Sequence, residues 1–262
     1  MIGFTSVLIV PDHQITRVNM GAGNRGIDVP DQIAGTGYRQ GMSLPEEFLL
    51  LAYDEDGTPL TDGTRLDNGL GGAILLELAL AQRVDVEDKR VVVVGGAPIG
   101  DALADEALAR IAEDKPRKPG YWVTKLSKQA RPRLLAKLVA DGVLTVEEDR
   151  VLWVFPRKKY PPATGETPAV EVEARERIRA AVLGSGQVEP RTAALCALVA
   201  ATELDRKILT GIDRRQVKAR LKEIGEGAWA ADAVRKTIEE IQAAVMVAII
   251  ASTTAATAGS SA

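Results

Sequence analysis

Apolar residues recur every three or four positions along most of the chain, which is the spacing of one face of an α-helix. Leu70, Ile74 and Leu78 are the clearest example and predict a helix over residues 70–82. Another helix is predicted to begin at Ser43, where a capping serine precedes a proline and two acidic residues. Similar patterns predict helices over residues 99–112, 132–140, 171–183, 190–203, 213–223 and 228–251.

Short valine-rich runs interrupt these helices and favour strands. Residues 84–86 and 90–94 predict a two-strand element, and residues 143–145 and 151–155 predict a hairpin that turns through residues 147–150. The segment 54–69 is rich in Gly, Asp and Asn and predicts a loop or an irregular hairpin. The expected fold class is mainly α, a compact helical bundle with one protruding β-hairpin and a short additional two-strand element.

The periodic pattern also suggests the domain boundaries. Residues 1–41 contain scattered Gly, Asn, Gln and Pro with little periodicity, and we expect them to form a poorly ordered N-terminal extension. Residues 42–252 are expected to form the helical domain. The low-complexity segment 253–262 is expected to be a flexible tail.

Composition narrows the class of protein. Hydrophobic residues make up 46% of the chain and aromatic residues 4%, so we expect a core of close-packed aliphatic helices. Cys196 is the single cysteine and lies in an apolar run, which favours a buried thiol and a reducing compartment. The longest apolar run, residues 243–251, is well short of the roughly 18 residues of a membrane span. We therefore expect a protein that does not cross a membrane.

Motifs for catalysis are weak. The single histidine, His13, lies in the predicted extension, so the domain has no residues for a His-based triad or a His metal site. Residues 21–26 have the spacing of a dinucleotide-binding glycine motif, but the extended sequence 27–30 follows where a helix should begin. Residues 91–100 form a strand-to-helix junction without the Lys-Ser/Thr pair of a phosphate-binding loop. We expect a protein that is not an enzyme and that needs no cofactor or metal.

Charge is strongly segregated in the middle of the chain. Eight basic residues and no acidic residue occur over residues 115–140, although the whole chain has a net charge of -3. Lys128 and Arg131 are three residues apart, a spacing that lets two bases bind one phosphate from the same side of a helix or tight turn. A solvated helical face is the simpler interpretation of such a run.

The predicted hairpin adds an apolar surface to this basic run. Its candidate membrane-contacting residues are Leu152, Trp153, Val154, Phe155, Arg157, Lys158 and Lys159. Apolar and aromatic side chains next to bases are typical of a surface that inserts into the interface of an anionic membrane. Packing of Trp153 against the helices is the alternative. The first interpretation predicts a cytoplasmic protein that is peripherally associated with the inner face of a membrane.

Four segments together resemble the Golgi phosphoprotein 3 family, whose bacterial members are common in actinobacteria. The matching segments are Leu44–Leu51 (LPEEFLLL), Asn68–Ala79 (NGLGGAILLELA), Pro98–Asp101 (PIGD) and Leu138–Thr145 (LVADGVLT), with Arg191–Leu195 fitting as well. The resemblance covers residues 44 to about 250. It implies a compact helical fold with one protruding β-hairpin that binds phosphatidylinositol 4-phosphate on Golgi membranes.

The resemblance also implies which residues bind the lipid headgroup. The family's two bases three residues apart fall on Lys128 and Arg131. The family's arginine position holds Gly71, and its tryptophan position falls at about Thr61 or Asp62. Arg65 is the candidate replacement from the same segment. The expected headgroup site is therefore Lys128, Arg131, Arg65 and Gly71, with general anionic-lipid binding the broader expectation.

Two other classes of function remain open at this stage. The helix 132–140 followed by a hairpin with a basic end resembles a winged helix, which would place Arg157 and Lys158 on nucleic-acid phosphates. However, that interpretation leaves the apolar C-terminal helices without a role, and nucleic acid is not the expected partner. A protein-interaction scaffold that forms a homo-oligomer through the hairpin is the third possibility.

Overall fold

The computed structural model describes residues 41–151, 155–227 and 232–258. These residues form ten helices and two separate two-stranded antiparallel sheets, which confirms the mainly α class. The first five helices are α1 (Leu44–Leu51), α2 (Gly63–Leu80), α3 (Ala102–Glu113), α4 (Pro119–Ser127) and α5 (Ala130–Ala140). The second five are α6 (Ala169–Leu183), α7 (Pro190–Ala201), α8 (Asp205–Ile208), α9 (Arg214–Gly225) and α10 (Asp232–Ala258). The strands are β1 (Val84–Glu87), β2 (Arg90–Val93), β3 (Glu147–Val151) and β4 (Phe155–Lys159).

Helix α2 is the central element of the bundle. Its residues from Asn68 to Ala79 are all buried, as expected for a helix that is apolar on nearly every face, and it packs against α1, α3, α4, α5, α7 and α10. The helix begins at Gly63 because the carboxylate of Asp62 accepts hydrogen bonds from the backbone N–H groups of Thr64 (3.1 Å) and Arg65 (2.9 Å). The prediction of a loop through residue 69 was therefore wrong over the first two turns of α2.

A buried ion-pair network fixes the start of the helical domain. Arg191 on α7 lies 2.9 Å from Glu47 on α1 and 3.3 Å from Glu77 on α2. The same guanidinium donates to the Met42 carbonyl at 2.6 Å, and Glu77 accepts from the Leu44 backbone N–H at 2.6 Å. Arg177 on α6 pairs with Glu47 at 2.6 Å. These contacts join α1, α2, α6 and α7, so the network belongs to the core of the fold.

The two sheets agree with the sequence to different degrees. Strands β1 and β2 pair as predicted, with Val84 opposite Val93 and Glu87 opposite Arg90. The predicted hairpin strands 143–145 and 151–155 were wrong, because the acidic residues assigned to its turn form β3. In the observed register Glu147 lies opposite Lys159, Glu148 opposite Lys158 and Asp149 opposite Arg157. Opposite charges on facing strands stabilise this register, so the basic strand is paired with an acidic one.

Several helix boundaries also differ from the predictions. Helix α4 was not predicted, and α10 continues to Ala258, so the first part of the predicted tail, residues 253–258, is helical. Residues 1–40 of the predicted N-terminal extension lie outside the described part of the chain. Within the part that is described, no helix combines the length and apolarity that are needed to cross a membrane.

Candidate functional site

The two bases with family spacing lie at a sharp corner between α4 and α5. Lys128 follows the last residue of α4 in an extended conformation, and Gln129 then adopts a left-handed conformation with φ of 68°. Arg131 belongs to the first turn of α5. Lys128 is exposed, whereas Arg131 is partly buried with 28% of its side chain exposed. The two residues therefore flank a tight corner between two helices, and of the two geometries considered from their spacing, a helix or a tight turn, the single helix does not apply.

The start of α5 has an unusual distribution of charge. Helices α2, α3, α7 and α9 each begin at an acidic residue whose carboxylate accepts backbone hydrogen bonds. Helix α5, all of which is described, has no side-chain cap and no acidic residue in its first turn, and instead carries Arg131 and Arg133 there. Bases at the positive end of a helix dipole are unfavourable without a nearby anion. Asp67 and Glu106, which pair with Arg131 and Arg133, provide such anions at this end of α5.

Arg131 is held in place by an acidic residue of α2. Its Nε lies 3.0 Å from Oδ1 of Asp67, and its Nη2 donates to Oδ2 at 3.1 Å. Burial raises the pKa of the Asp67 carboxyl above its usual value, although the neighbouring guanidinium favours the ionised form. This bidentate ion pair fixes the orientation of the Arg131 guanidinium. Any anionic ligand of Arg131 must therefore compete with the Asp67 carboxylate.

Arg131 opens onto a cleft of about 410 Å³ between the α1–α2 loop, α5 and β4. The cleft is lined by Tyr53, Pro59, Arg131, Pro132, Leu135, Lys158 and Tyr160. The rings of Tyr53 and Tyr160 meet edge to face with centroids 6.3 Å apart. Burial raises the pKa of Tyr53, while its hydrogen bond with Arg131 acts in the opposite direction. The cleft brings together a predicted headgroup base, Arg131, and a predicted hairpin base, Lys158.

Backbone hydrogen bonds hold the hairpin stem, which is the paired strands β3 and β4, beside this cleft. Tyr160 N–H donates to the Gly57 carbonyl at 3.0 Å, and Thr145 N–H donates to the Pro161 carbonyl at 2.9 Å. Gly57 has φ of 71°, and a Cβ there would lie 2.3 Å from the backbone of Tyr160 and Pro161. The α1–α2 loop can approach the stem this closely because position 57 is glycine. The position of Lys158 relative to Arg131 therefore follows from the folded backbone.

Arg65 does not line the cleft. It forms ion pairs with Asp62 at 3.0 Å and with Glu203, beyond the end of α7, at 2.8 Å. These contacts join α2 to the segment after α7. The ion pairs of Arg65 with Asp62 and Glu203 thus give it a role in packing of the fold.

Gly71 also lies outside the cleft, because it is buried where α2 crosses α4. A Cβ at this position would lie 2.2 Å from the Val123 carbonyl oxygen and 2.9 Å from the Ser127 backbone nitrogen. Here the glycine permits close packing of two helices, and it leaves no space for a side chain at the position that the family resemblance gives to an arginine.

We expect Gly71→Ala to lower the free energy of unfolding by about 2 kcal/mol, because the added methyl group must push α4 away from α2. Urea unfolding followed by circular dichroism measures the change. Gly120→Ala on α4 is the matched control, since a Cβ there meets nothing within 4 Å. That control should be neutral or slightly stabilising, as alanine is the better helix former. Equal effects of the two substitutions would contradict the assigned role of Gly71.

The structure describes only some of the hairpin residues that were predicted from the sequence to contact a membrane. Leu152, Trp153 and Val154 lie outside the described residues, and Phe155 and Arg157 are placed by their backbone register. Lys158 is exposed and Lys159 is half-buried. The closing pair of the stem is Val151 opposite Phe155, so the segment 151–155 is not one continuous strand. The three intervening residues, Leu-Trp-Val, join the two strands in sequence.

The basic residues within the segment 115–140, which contains no acidic residue, differ in whether they already form ion pairs within the protein. Arg133 pairs with Glu106 at 2.7 Å, and Lys137 pairs with Glu46 at 2.6 Å and Asp141 at 2.8 Å. Lys128 makes no ion pair with any residue that the structure describes. Lys128 is therefore the base of this corner that is most accessible to an external anion.

Three carboxylates at the start of α3 have structural roles. Asp101 caps α3 by accepting from the Ala104 N–H at 2.8 Å, and Asp105 accepts from the Ile99 N–H at 2.7 Å. Glu106 pairs with Arg110 and Arg133. Among the described residues, no group of three His, Cys, Asp or Glu side chains is placed to hold a metal ion.

Comparisons with known proteins agree with the resemblance seen in the sequence. The family model for Golgi phosphoprotein 3 matches residues 44–241. Vacuolar protein sorting-associated protein 74 of Eremothecium gossypii is 32% identical over 131 residues, an alignment that covers 40% of this chain and 40% of that protein. The chain thus spans about 40% of the length of the curated relative that it matches.

Proposed function

Because the chain belongs to the Golgi phosphoprotein 3 family, we propose that it is a non-catalytic peripheral protein that binds anionic phospholipid at a membrane surface. The observation that carries the proposal is the shared cleft, in which Arg131 of α5 and Lys158 of the hairpin stem line one opening. By family resemblance the headgroup is of the phosphatidylinositol 4-phosphate type. The proposed location is the inner face of the membrane that encloses the cytoplasm.

The charge pattern limits where the attraction to the membrane can arise. On β3 and β4 three acidic residues face three basic residues, so the stem contributes little net positive charge. The α4–α5 corner supplies Lys128, which is unpaired among the described residues, and Arg131, which is paired with Asp67, and each base near an anionic surface contributes about 1 kcal/mol to binding. We therefore assign the electrostatic contribution mainly to this corner.

The hairpin end supplies the apolar contribution in this proposal. Stem pairing ends at Val151 and Phe155, and the sequence between them is Leu152-Trp153-Val154. Leucine, tryptophan and valine next to bases suit insertion into the headgroup region of a bilayer. Association of two chains through the same hairpin is a further proposal, which light scattering with and without lipid can test.

We expect the purified protein to pellet with vesicles that contain phosphatidylinositol or other acidic lipids and to remain in solution with pure phosphatidylcholine vesicles. Binding to the acidic vesicles should fall at least about tenfold when the salt concentration rises from about 0.1 M to about 0.5 M, because salt screens exposed charges. Co-sedimentation measures both effects. Equal pelleting with neutral vesicles would contradict the electrostatic mechanism. Retardation of duplex DNA without pelleting of vesicles would favour the nucleic-acid alternative.

A further inference from the structure

We propose that Asp67 of α2 is an autoinhibitory competitor, which occupies the guanidinium of Arg131 until an external anion displaces it. Loss of this carboxylate then strengthens the binding of anions by the protein. The inference concerns regulation of the site and rests on the proposed function, because Arg131 is one of the two bases that we assign to the membrane contact.

The Asp67 pair uses the side of the guanidinium that binds carboxylates and phosphates in a bidentate manner. Nε of Arg131 lies 3.0 Å from Oδ1, and Nη2 donates to Oδ2 at 3.1 Å. Tyr53 forms a further hydrogen bond with the same guanidinium. A ligand that leaves Asp67 in place is therefore restricted to the remaining N–H groups and cannot bind bidentately through this side.

The Asp67 carboxylate is held at a fixed position in the fold. Helix α2, which carries it, is capped by Asp62 and packs against six other helices. The Arg131 guanidinium lies against the first turn of this helix, where a Cβ at Gly63 would be 3.3 Å from Nη2. The arginine side chain, and not helix α2, is thus the part that must move when a ligand displaces Asp67.

Both partners of the pair remain within reach of an external anion. The side chains of Arg131 and Asp67 are 28% and 36% exposed, and Arg131 lines the cleft beside β4. Exchange of Asp67 for an external anion replaces one ion pair by another, so Arg131 adds less to affinity than an unpaired base does. Lys128, which has no ion pair among the described residues, contributes without such an exchange. The corner thus combines one base that is immediately available with one that a competing anion must release.

Glu106 of α3 provides the matched comparison. It pairs at 2.7 Å with Arg133, the other base in the first turn of α5. Its side chain is 39% exposed, close to the value for Asp67, and Arg133 lies outside the set of residues that line the cleft. Neutralising either carboxylate removes one negative charge from this end of α5, but only neutralising Asp67 releases Arg131.

Co-sedimentation with vesicles that contain phosphatidylserine tests the competition on the whole chain. Asp67→Asn and Glu106→Gln should each raise affinity about fivefold by removing one negative charge, and release of Arg131 should add about another fivefold in Asp67→Asn alone. Equal gains in the two variants would overturn the proposal, since the gain would then follow net charge.

Removal of Arg131 identifies the base that is released. In the Arg131→Gln background, Asp67→Asn should raise the affinity for the same vesicles no more than Glu106→Gln does, because no guanidinium is left to release. A larger gain from Asp67→Asn in that background would contradict the ion pair as the cause.

We expect the Asp67→Asn protein to fold normally. Asparagine keeps an oxygen that can accept from Arg131 Nη2. In addition, burial raises the pKa of the Asp67 carboxyl, which shows that the site disfavours the ionised form and accepts a neutral side chain. Thermal melting of each variant verifies that the fold is retained.

A lipid-free measurement separates this inference from the proposed function. The Nε–H resonance of Arg131 is followed by NMR while inorganic phosphate is added to the whole chain. Asp67→Asn should bind phosphate about fivefold more tightly than Glu106→Gln does. That result without pelleting of any vesicle would support the inference and contradict the proposed membrane function. Pelleting of the unmodified protein, with equal gains in both variants for vesicles and for phosphate, would overturn the inference and leave the proposed function intact.

Discussion

Simultaneous substitution of Lys128 and Arg131 by glutamate should lower the affinity for acidic vesicles by about a thousandfold. The double substitution changes the local charge by four units, and about 1 kcal/mol per unit charge near an anionic surface corresponds to about 4 kcal/mol. Lys128→Glu should by itself reduce affinity roughly thirtyfold. The single variant is informative about binding alone, because Lys128 is exposed and makes no ion pair within the described residues. Co-sedimentation over a series of lipid concentrations measures both affinities.

The matched control reverses two other bases of the same acid-free run. Lys115 and Lys118 are exposed, are also three residues apart, and lie before α4, whereas Lys128 follows it. The Lys115→Glu/Lys118→Glu protein should lose far less affinity if the α4–α5 corner is the contact surface. Equal losses in the two double variants would mean that binding follows net charge, and the corner would then have no special role.

The elements that were predicted correctly from the sequence are those determined by local patterns. Helix α7 is determined by apolar spacing and a capping residue, and the pair β1–β2 by valine-rich runs. Each of these patterns can be recognised from a few consecutive residues of the sequence. Helix α2 shows the limit of this approach. Its first two turns contain Gly, Thr, Asp and Asn, which locally favour a loop, but Asp62 caps the helix and packing against six other helices stabilises it.

The hairpin was misplaced because its register depends on contacts between strands. Residues 151–155 have the composition of a buried strand, and Glu147 to Asp149 have that of a turn. The observed register instead places each of these acids opposite a base of β4. Cross-strand charge pairing was visible in the sequence as an acidic triplet followed by a basic triplet, and this signal could have located the hairpin.

The candidate site was predicted in part for a similar reason. Lys128 and Arg131 could be found by charge and by family resemblance, but the partners of Arg131 are set by tertiary structure. Asp67 lies 64 residues before Arg131. Tyr53 and Tyr160 reach the cleft from the loop after α1 and from the end of β4. In the sequence, Tyr53 follows an apolar helix and Tyr160 follows a basic triplet. Neither position indicates that the two tyrosines line the same cleft.

Cys196 provides a built-in reporter of the folded state. It lies on α7, is 1% exposed, and burial raises its thiol pKa to about 12. The thiolate is the reactive form, so a thiol reagent at neutral pH should modify the folded protein very slowly. The rate of modification consequently follows opening of the core around α7.

Arg191→Met should destabilise the protein by about 3–5 kcal/mol, because it removes the base between Glu47 and Glu77 while both carboxylates remain buried. Glu77 has no exposed surface, and Glu47 is 5% exposed and keeps Arg177 as a partner. The midpoint of urea unfolding should fall, and modification of Cys196 should accelerate in parallel. Arg206→Met is the control, since its pair with Glu203 at 3.6 Å is exposed, and it should cost at most about 1 kcal/mol.

A second substitution identifies the source of the destabilisation by Arg191→Met. Adding Glu77→Gln removes the buried negative charge that faces Arg191 and keeps an oxygen that can accept from the Leu44 N–H, so the double variant should recover at least about 1 kcal/mol relative to Arg191→Met. Failure of Glu77→Gln to restore any stability would attribute the loss to packing of the arginine stem and not to the buried carboxylate. Recovery would establish that the charge of Arg191 holds the first helix of the domain against α2 and α7.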